Sequence, residues 1–333
     1  MASAKSILLK IGKYILLFGA AGVLVYLAFR KVDWKAFYDG LLQTRWFWVV
    51  LFCIASVLAL VGRLFRWKEL LNPFDKSLSY LRVWDAMNVG NVASVAIPTS
   101  GELLRCGYVT TKKLQYDKAL GTMFAERVWD VGASIILLAL ALTLQWNRLG
   151  DFFKENLLRP LSSFGFWWIL AALVVLAAVF IWIMFRLRDR NKFCDKVAAS
   201  ISRLWDGFTA FGKSKNKLII ALSTVFIWFM YVLMSFFIVK AMPALEGIGF
   251  NEAMFLAAVG NVASVVPVPG GIGAYHYLVA ATLGVYGYSW DTGILYATLN
   301  HEIHAVVIIA IGIISYLHIV KETGRKSNDV NGK

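Results

Sequence analysis

The sequence predicts an all-α polytopic membrane protein with about six transmembrane helices and two re-entrant helical hairpins in an inverted repeat. Three observations lead there. Of 333 residues, 59% are hydrophobic and only 16% are charged, against roughly a quarter charged in soluble domains. Six apolar stretches reach the roughly 20 residues needed to cross ~30 Å of hydrocarbon. The heptapeptide Val89-Gly90-Asn91-Val92-Ala93-Ser94-Val95 recurs unchanged as Val259-Gly260-Asn261-Val262-Ala263-Ser264-Val265.

The expected crossings are 7–29, 46–65, 118–145, 164–187, 217–242 and 291–319. Lys5, Lys10 and Lys13 form a positive n-region ahead of the apolar run from Tyr14 to Phe29, and no A-x-A cleavage site follows that run, so it is read as a retained helix. Two further apolar regions, 82–109 and 253–285, are broken near their middles by Ile97-Pro98-Thr99-Ser100-Gly101 and Pro267-Val268-Pro269-Gly270-Gly271. Proline removes a backbone donor and glycine lets the chain turn, so each region reads as helix, break, helix. Arms too short to span imply hairpins that enter and return on the same side, covered by protein or lining a cavity. In 192–213, Phe193, Val197, Ile201, Leu204, Phe208 and Phe211 recur at helical spacing beside Lys196 and Arg203, the pattern of a basic amphipathic interfacial helix.

Each heptapeptide copy follows a span, leads into a Pro/Gly break and precedes another span. The chain is therefore a single membrane domain, 1–333, with one repeat unit at 46–145 and a second at 217–319. Small-residue helix packing accounts for the Gly, Ala and Ser, but not for the repeated order of elements. Lysines and arginines set the orientation. With the N-terminus in the cytoplasm, cytoplasmic segments including a basic tail at 321–333 carry 24 of them and external segments 7. The crossing at 164–187 then inverts the second unit, and broken helices meeting in this way are a feature of secondary transporters. Both termini are expected in the cytoplasm and the chain in the cell (inner) membrane.

Charged groups at membrane depth are costly and usually line an interior cavity. Asn91, Ser94, Pro98, Gly101, Glu102 and Arg105 lie on or beside the first break. Asn261, Ser264, Pro267, Pro269, Gly270, Gly271, Gly273 and His276 lie on or beside the second. Glu126, Arg127 and Asp130 form a charged turn on the following span. Aligning Asp117 with Asp291 sets that turn over Asn300, His301 and His304, with Glu302 alongside. The arginines suit an anionic headgroup, because guanidinium holds phosphate bidentately. Glu126, Glu302 and the histidines suit proton transfer. Structural ion pairs locking the bundle are the plain alternative.

No metal or cofactor is expected. His301 and His304 share a face, but there is no HExxH pattern. Cys53, Cys106 and Cys194 are scattered without a disulfide or zinc spacing. The net charge of +14 is dispersed between apolar runs rather than gathered in a patch, so nucleic acid is not an expected partner. Expected partners are a membrane lipid as substrate, a lipid-modifying enzyme and a second copy of the chain.

Ile97-Pro98-x-x-Gly101-Glu102-x-x-Arg105, Ala125-Glu126-Arg127 and Pro267-Val268-Pro269-Gly270-Gly271-Ile272-Gly273 together resemble the lysylphosphatidylglycerol synthase transmembrane family. The resemblance covers nearly the whole chain and implies a stand-alone member without the soluble synthase domain. It also implies movement of aminoacylated or related lipids between leaflets. His276 stands where the family often has Glu, which points to a different substrate. The expected function is a flippase or transporter for an anionic or amphipathic lipid, phospho- or polyprenyl-linked, rather than an enzyme. The rivals are an integral membrane transferase acting on a lipid headgroup and a lipid-binding accessory subunit.

Overall fold

The computed structural model describes Gly19 and residues 22–97, 100–146, 164–187, 192–263 and 271–331. Every regular element among them is helical. In chain order they are α1 (22–29), α2 (Trp34–Leu42), α3 (Trp46–Leu71), α4 (Tyr80–Ala96), α5 (Ser100–Tyr108) and α6 (Tyr116–Leu144). There follow α7 (Phe164–Arg186), α8 (Lys192–Phe208), α9 (Ala210–Lys213), α10 (Lys217–Ala241), α11 (Phe250–Ala263), α12 (Ala274–Val285) and α13 (Trp290–Asn331). The protein is an all-α, multi-pass membrane protein. Among the described residues four helices are long and apolar enough to cross a bilayer: α3, α6, α10 and the Trp290–Glu322 part of α13. Helix α7 occupies the expected crossing at 164–187, whereas most of the expected crossing at 7–29 lies outside the described residues.

Local chemistry sets the helix ends. Asp33 caps α2 by accepting from the backbone N–H groups of Lys35 and Ala36, and Ser79 caps α4 by accepting from that of Arg82. Helix α4 stops at Ile97, whose φ of −134° and ψ of 117° are extended; the following Pro98 disfavours the α region there. Met242 before Pro243 ends α10 in the same way, at φ −101° and ψ 110°. Three expected boundaries differ. The span at 46–65 continues as helix to Leu71, and the segment 321–333 is helical through Asn331. The segment 192–213 forms two helices rather than one. The arms around the two breaks measure 17 and 9 residues, then 14 and 12.

The packing is reciprocal between residues 46–145 and 217–319. Helices α3 and α10, their opening spans, pack along each other. Helix α4 packs on α13, while α11 packs on α6. Close approach depends on glycine. A Cβ on Gly101 would overlap the Gly90 carbonyl oxygen, so α4 and α5 touch backbone to backbone. Helix α8 lies against α6 through a second such crossing, Gly121 against Gly207, which places Arg203 2.8 Å from Asp117. Apolar residues of α3, α10, α11, α12 and α13 form the larger core, with Phe52, Ile238, Leu256, Val279 and Tyr296 inside. A second core, around Trp67, Met87, Leu114 and Ile220, joins the end of α3 to α4, α6 and α10.

Outside the spans, Asp75 ties the α3–α4 loop to the α5–α6 loop. Its carboxylate accepts from Ser77 Oγ at 2.5 Å and from Thr111 Oγ1 at 2.7 Å. These hydrogen bonds, Ser77 foremost, hold its pKa down at about 2.

Candidate functional site

Two polar clusters lie among the helices, one built mainly on α3, α5 and α6 and the other on α12 and α13. The first centres on Glu126 of α6, which is wholly buried. Arg66 of α3 donates to Glu126 Oε1 at 3.0 Å, and Arg105 of α5 donates to Oε2 at 2.7 Å. Arg66 also reaches Asp130 at 2.7 and 3.1 Å. Arg63 Nε stands 3.9 Å from Glu126, and Arg127 Nε stands 3.1 Å from Glu102. Four guanidinium groups thus face three carboxylates, leaving one net positive charge. Carboxylates do not exhaust the donors either. Arg105 Nε and Nη1 and Arg66 Nε are buried without a hydrogen-bond partner, although both side chains are at most 2% exposed. Arg105 rests over the Trp67 ring with its Cζ 4.5 Å from the centroid, a desolvated cation–π contact.

The second cluster gathers on α12 and α13. His301 Nδ1 lies 2.9 Å from Glu302 Oε1, and His276 Nε2 lies 3.8 Å from the same oxygen. The Tyr275 ring lies 5.1 Å from that of His301, tilted by 40°, and Phe29 of α1 sits 5.3 Å from His276. His304 Nδ1 is 2.7 Å from Ser56 Oγ of α3. Asn300 turns aside and donates to Tyr296 Oη at 3.2 Å. Gly271 and Gly273 have φ of 72° and 88°, left-handed values suited to glycine. Among the described residues no group of three or more His, Cys, Asp or Glu is arranged to hold a metal ion.

Sequence-derived candidates divide accordingly. Glu102, Arg105, Glu126, Arg127 and Asp130 come together in one cluster, and His276, His301, Glu302 and His304 in the other. Ser94 Oγ abuts Gly101 where α4 meets α5. The Asn91 amide nitrogen is buried there without a hydrogen-bond partner. Asn261 bonds its own helix at Ala257 O. Pro98, Ser264, Pro267, Pro269 and Gly270 lie outside the described residues. Neither Arg105 nor Arg127 stands free, since each is paired with a carboxylate. Sequence reasoning missed Arg63 and Arg66, which it placed at the edge of a span. Trp67, Leu70 and Leu71 immediately after them were the available sign that the helix continues.

An apolar cleft of about 680 Å³ lies between α6 and α10. Val128, Gly132, Ile136 and Leu140 of α6 line one wall, with Val225 and Trp228 of α10 opposite. Trp228 is 7% exposed and its indole N–H has no partner.

A family model described as the lysylphosphatidylglycerol synthase TM region matches residues 11–312. No curated protein and no solved structure matches the chain.

Proposed function

The chain belongs to the lysylphosphatidylglycerol synthase transmembrane family, and on that premise we propose that it moves a lipid with an anionic headgroup between membrane leaflets. The observation that carries the reading is Arg105. It is buried and bound to Glu126 through one nitrogen, with two further donors unsatisfied. A buried donor left unpaired costs about 1–3 kcal/mol, and a phosphate oxygen would satisfy it and offset the cluster's positive excess.

The headgroup enters at Arg127, whose side chain is 41% exposed at the edge of the cluster, and passes inward to Arg105 and Arg63. The hydrocarbon chain stays in the apolar cleft between α6 and α10, which Val128 to Leu140 line on α6. From Val128 to Leu140 the α6 wall runs about 18 Å, over half of the ~30 Å hydrocarbon thickness. Reciprocal packing of α4 on α13 and α11 on α6 supports an inverted repeat whose hairpins open to opposite leaflets. The balance of Lys and Arg favours cytoplasmic termini and the cell membrane.

Reconstituted vesicles carrying a labelled anionic phospholipid test this. Wild-type protein moves the unmodified label between leaflets, and Arg127→Gln, at a half-exposed position, slows it at least tenfold. Chemical conversion of the label would favour a headgroup transferase, and neither movement nor conversion would leave a lipid-binding subunit.

A further inference from the structure

The two polar clusters occupy corresponding places in the repeat and differ in kind. Aligning Asp117 with Asp291 sets Arg127 over His301 and Asp130 over His304. Where the first unit holds permanent charges locked in pairs, the second holds imidazoles. Histidine is the one side chain whose ordinary titration falls between pH 5 and 8. Glu126, with Arg66 and Arg105 donating to its two oxygens, is a fixed charge.

We infer that the cluster of His276, His301, His304 and Glu302 binds a transported proton, so that lipid movement is coupled to a proton gradient. The inference rests on the lipid-translocation reading. His301 is the group in position to take up the proton. With Nδ1–H donated to Glu302, its Nε2 is a free acceptor. That atom faces Gly271 at the second break, where a Cβ would come within 3.4 Å of it. Uptake places one proton on Nε2 and turns the neutral imidazole into an imidazolium paired with the Glu302 carboxylate. Release removes the same proton from Nε2 and restores the neutral ring. Glu302 is 43% exposed and His276 1% exposed, so the carboxylate is the open end of the cluster and His276 its enclosed end.

The charged and titratable surroundings are few. On α12 they are Tyr275 and His276, and α1 contributes the Phe29 ring. On α3 Ser56 holds His304, and Arg63 lies within electrostatic reach of it. Helix α10 presents Ser235 to Tyr296. Helix α4 presents Asp85, which engages His318 at 2.7 Å, fourteen residues beyond His304 and about 21 Å away along α13. Helix α2 meets α13 where the Asp33 N–H donates to Asp291. Ser56 and Arg63 are seven residues, or about 10 Å, apart on one face of α3. A proton held at His304 therefore repels Arg63, the residue 3.9 Å from Glu126, and α3 links the two clusters.

Protein is reconstituted into vesicles with a trapped pH dye and a labelled anionic phospholipid, and a gradient of one pH unit is imposed. With one proton per lipid, the label accumulates in one leaflet up to about tenfold, since a pH unit is 1.36 kcal/mol, and the dye reports proton flux. In His301→Gln and Glu302→Gln the accumulation ratio falls to one. Equal distribution in wild type with no proton flux overturns the inference while leaving translocation standing, as does undiminished accumulation in both variants. If no label moves under any condition, translocation itself fails, and the proton site is judged by histidine NMR titration of the same protein. A His301 titration that moves on Glu302→Gln supports the site, and one that does not move overturns it.

Discussion

Arg105 donates a 2.7 Å hydrogen bond to Glu126, both side chains being buried, and so joins the short helix α5 to the long helix α6. Arg66 closes the same carboxylate from a third helix at 3.0 Å. Removing one partner from a buried charge pair typically costs about 3–5 kcal/mol, because the remaining charge is left uncompensated. Glu126→Gln is therefore expected to destabilise the protein by about that amount, read as a lowered unfolding midpoint in detergent. Arg203→Ala should cost no more than about 1 kcal/mol, because the Arg203–Asp117 pair is about 30% exposed on both sides.

Backbone contact between Gly90 and Gly101 leaves no room for a methyl group. Gly101→Ala should separate α4 from α5 and lower the yield of folded protein. Gly107→Ala on the same helix, where a Cβ meets nothing within 4 Å, should be neutral or stabilising by about 1 kcal/mol. Size-exclusion profiles and melting curves of the pair check this.

The apolar cleft can be filled without disturbing the bundle. Gly132 lines it and a Cβ there meets no atom within 4 Å. Gly132→Trp should leave the melting temperature unchanged or higher, since glycine costs a helix interior about 1 kcal/mol. Lipid movement should fall severalfold in the vesicle assay. A Trp at Ile314, exposed on α13 away from this cleft, should leave movement intact.

Asp75 gives a pH signature outside the spans. Hydrogen bonds from Ser77 and Thr111 hold its pKa at about 2, below the unfolded value of about 3.9. A depressed folded pKa contributes stability that is complete above the unfolded value and is lost as pH falls through the folded one. The stability difference between wild type and Asp75→Asn should therefore be constant above about pH 5 and shrink between pH 4 and 2. Parallel unfolding curves across that range check it.

Much of this architecture is legible in the sequence because lipid imposes simple length and polarity rules. The Pro98 break fixes the end of α4 at Ile97, and the duplicated heptapeptide locates α4 and α11. Glu126 and His301 stand out as charged or titratable groups in apolar helices. Arg63 and Arg66 did not, because an arginine at the end of an apolar run reads as an interfacial anchor unless the chain beyond it is buried. The partnership of His304 with Ser56 joins residues 248 positions apart, and hydroxyls within an apolar helix carry no periodic signal. The short helix α2 was hidden in a segment too brief to show its own pattern.

The central claim is that the two hairpins open to opposite leaflets. Single cysteines at Ser100 and Ile272, introduced into a chain lacking Cys53, Cys106 and Cys194, can be labelled in sealed vesicles of known orientation with a membrane-impermeant maleimide. The account predicts that Ser100→Cys reacts from one side only and Ile272→Cys from the other only. Reaction of both from the same side would contradict it.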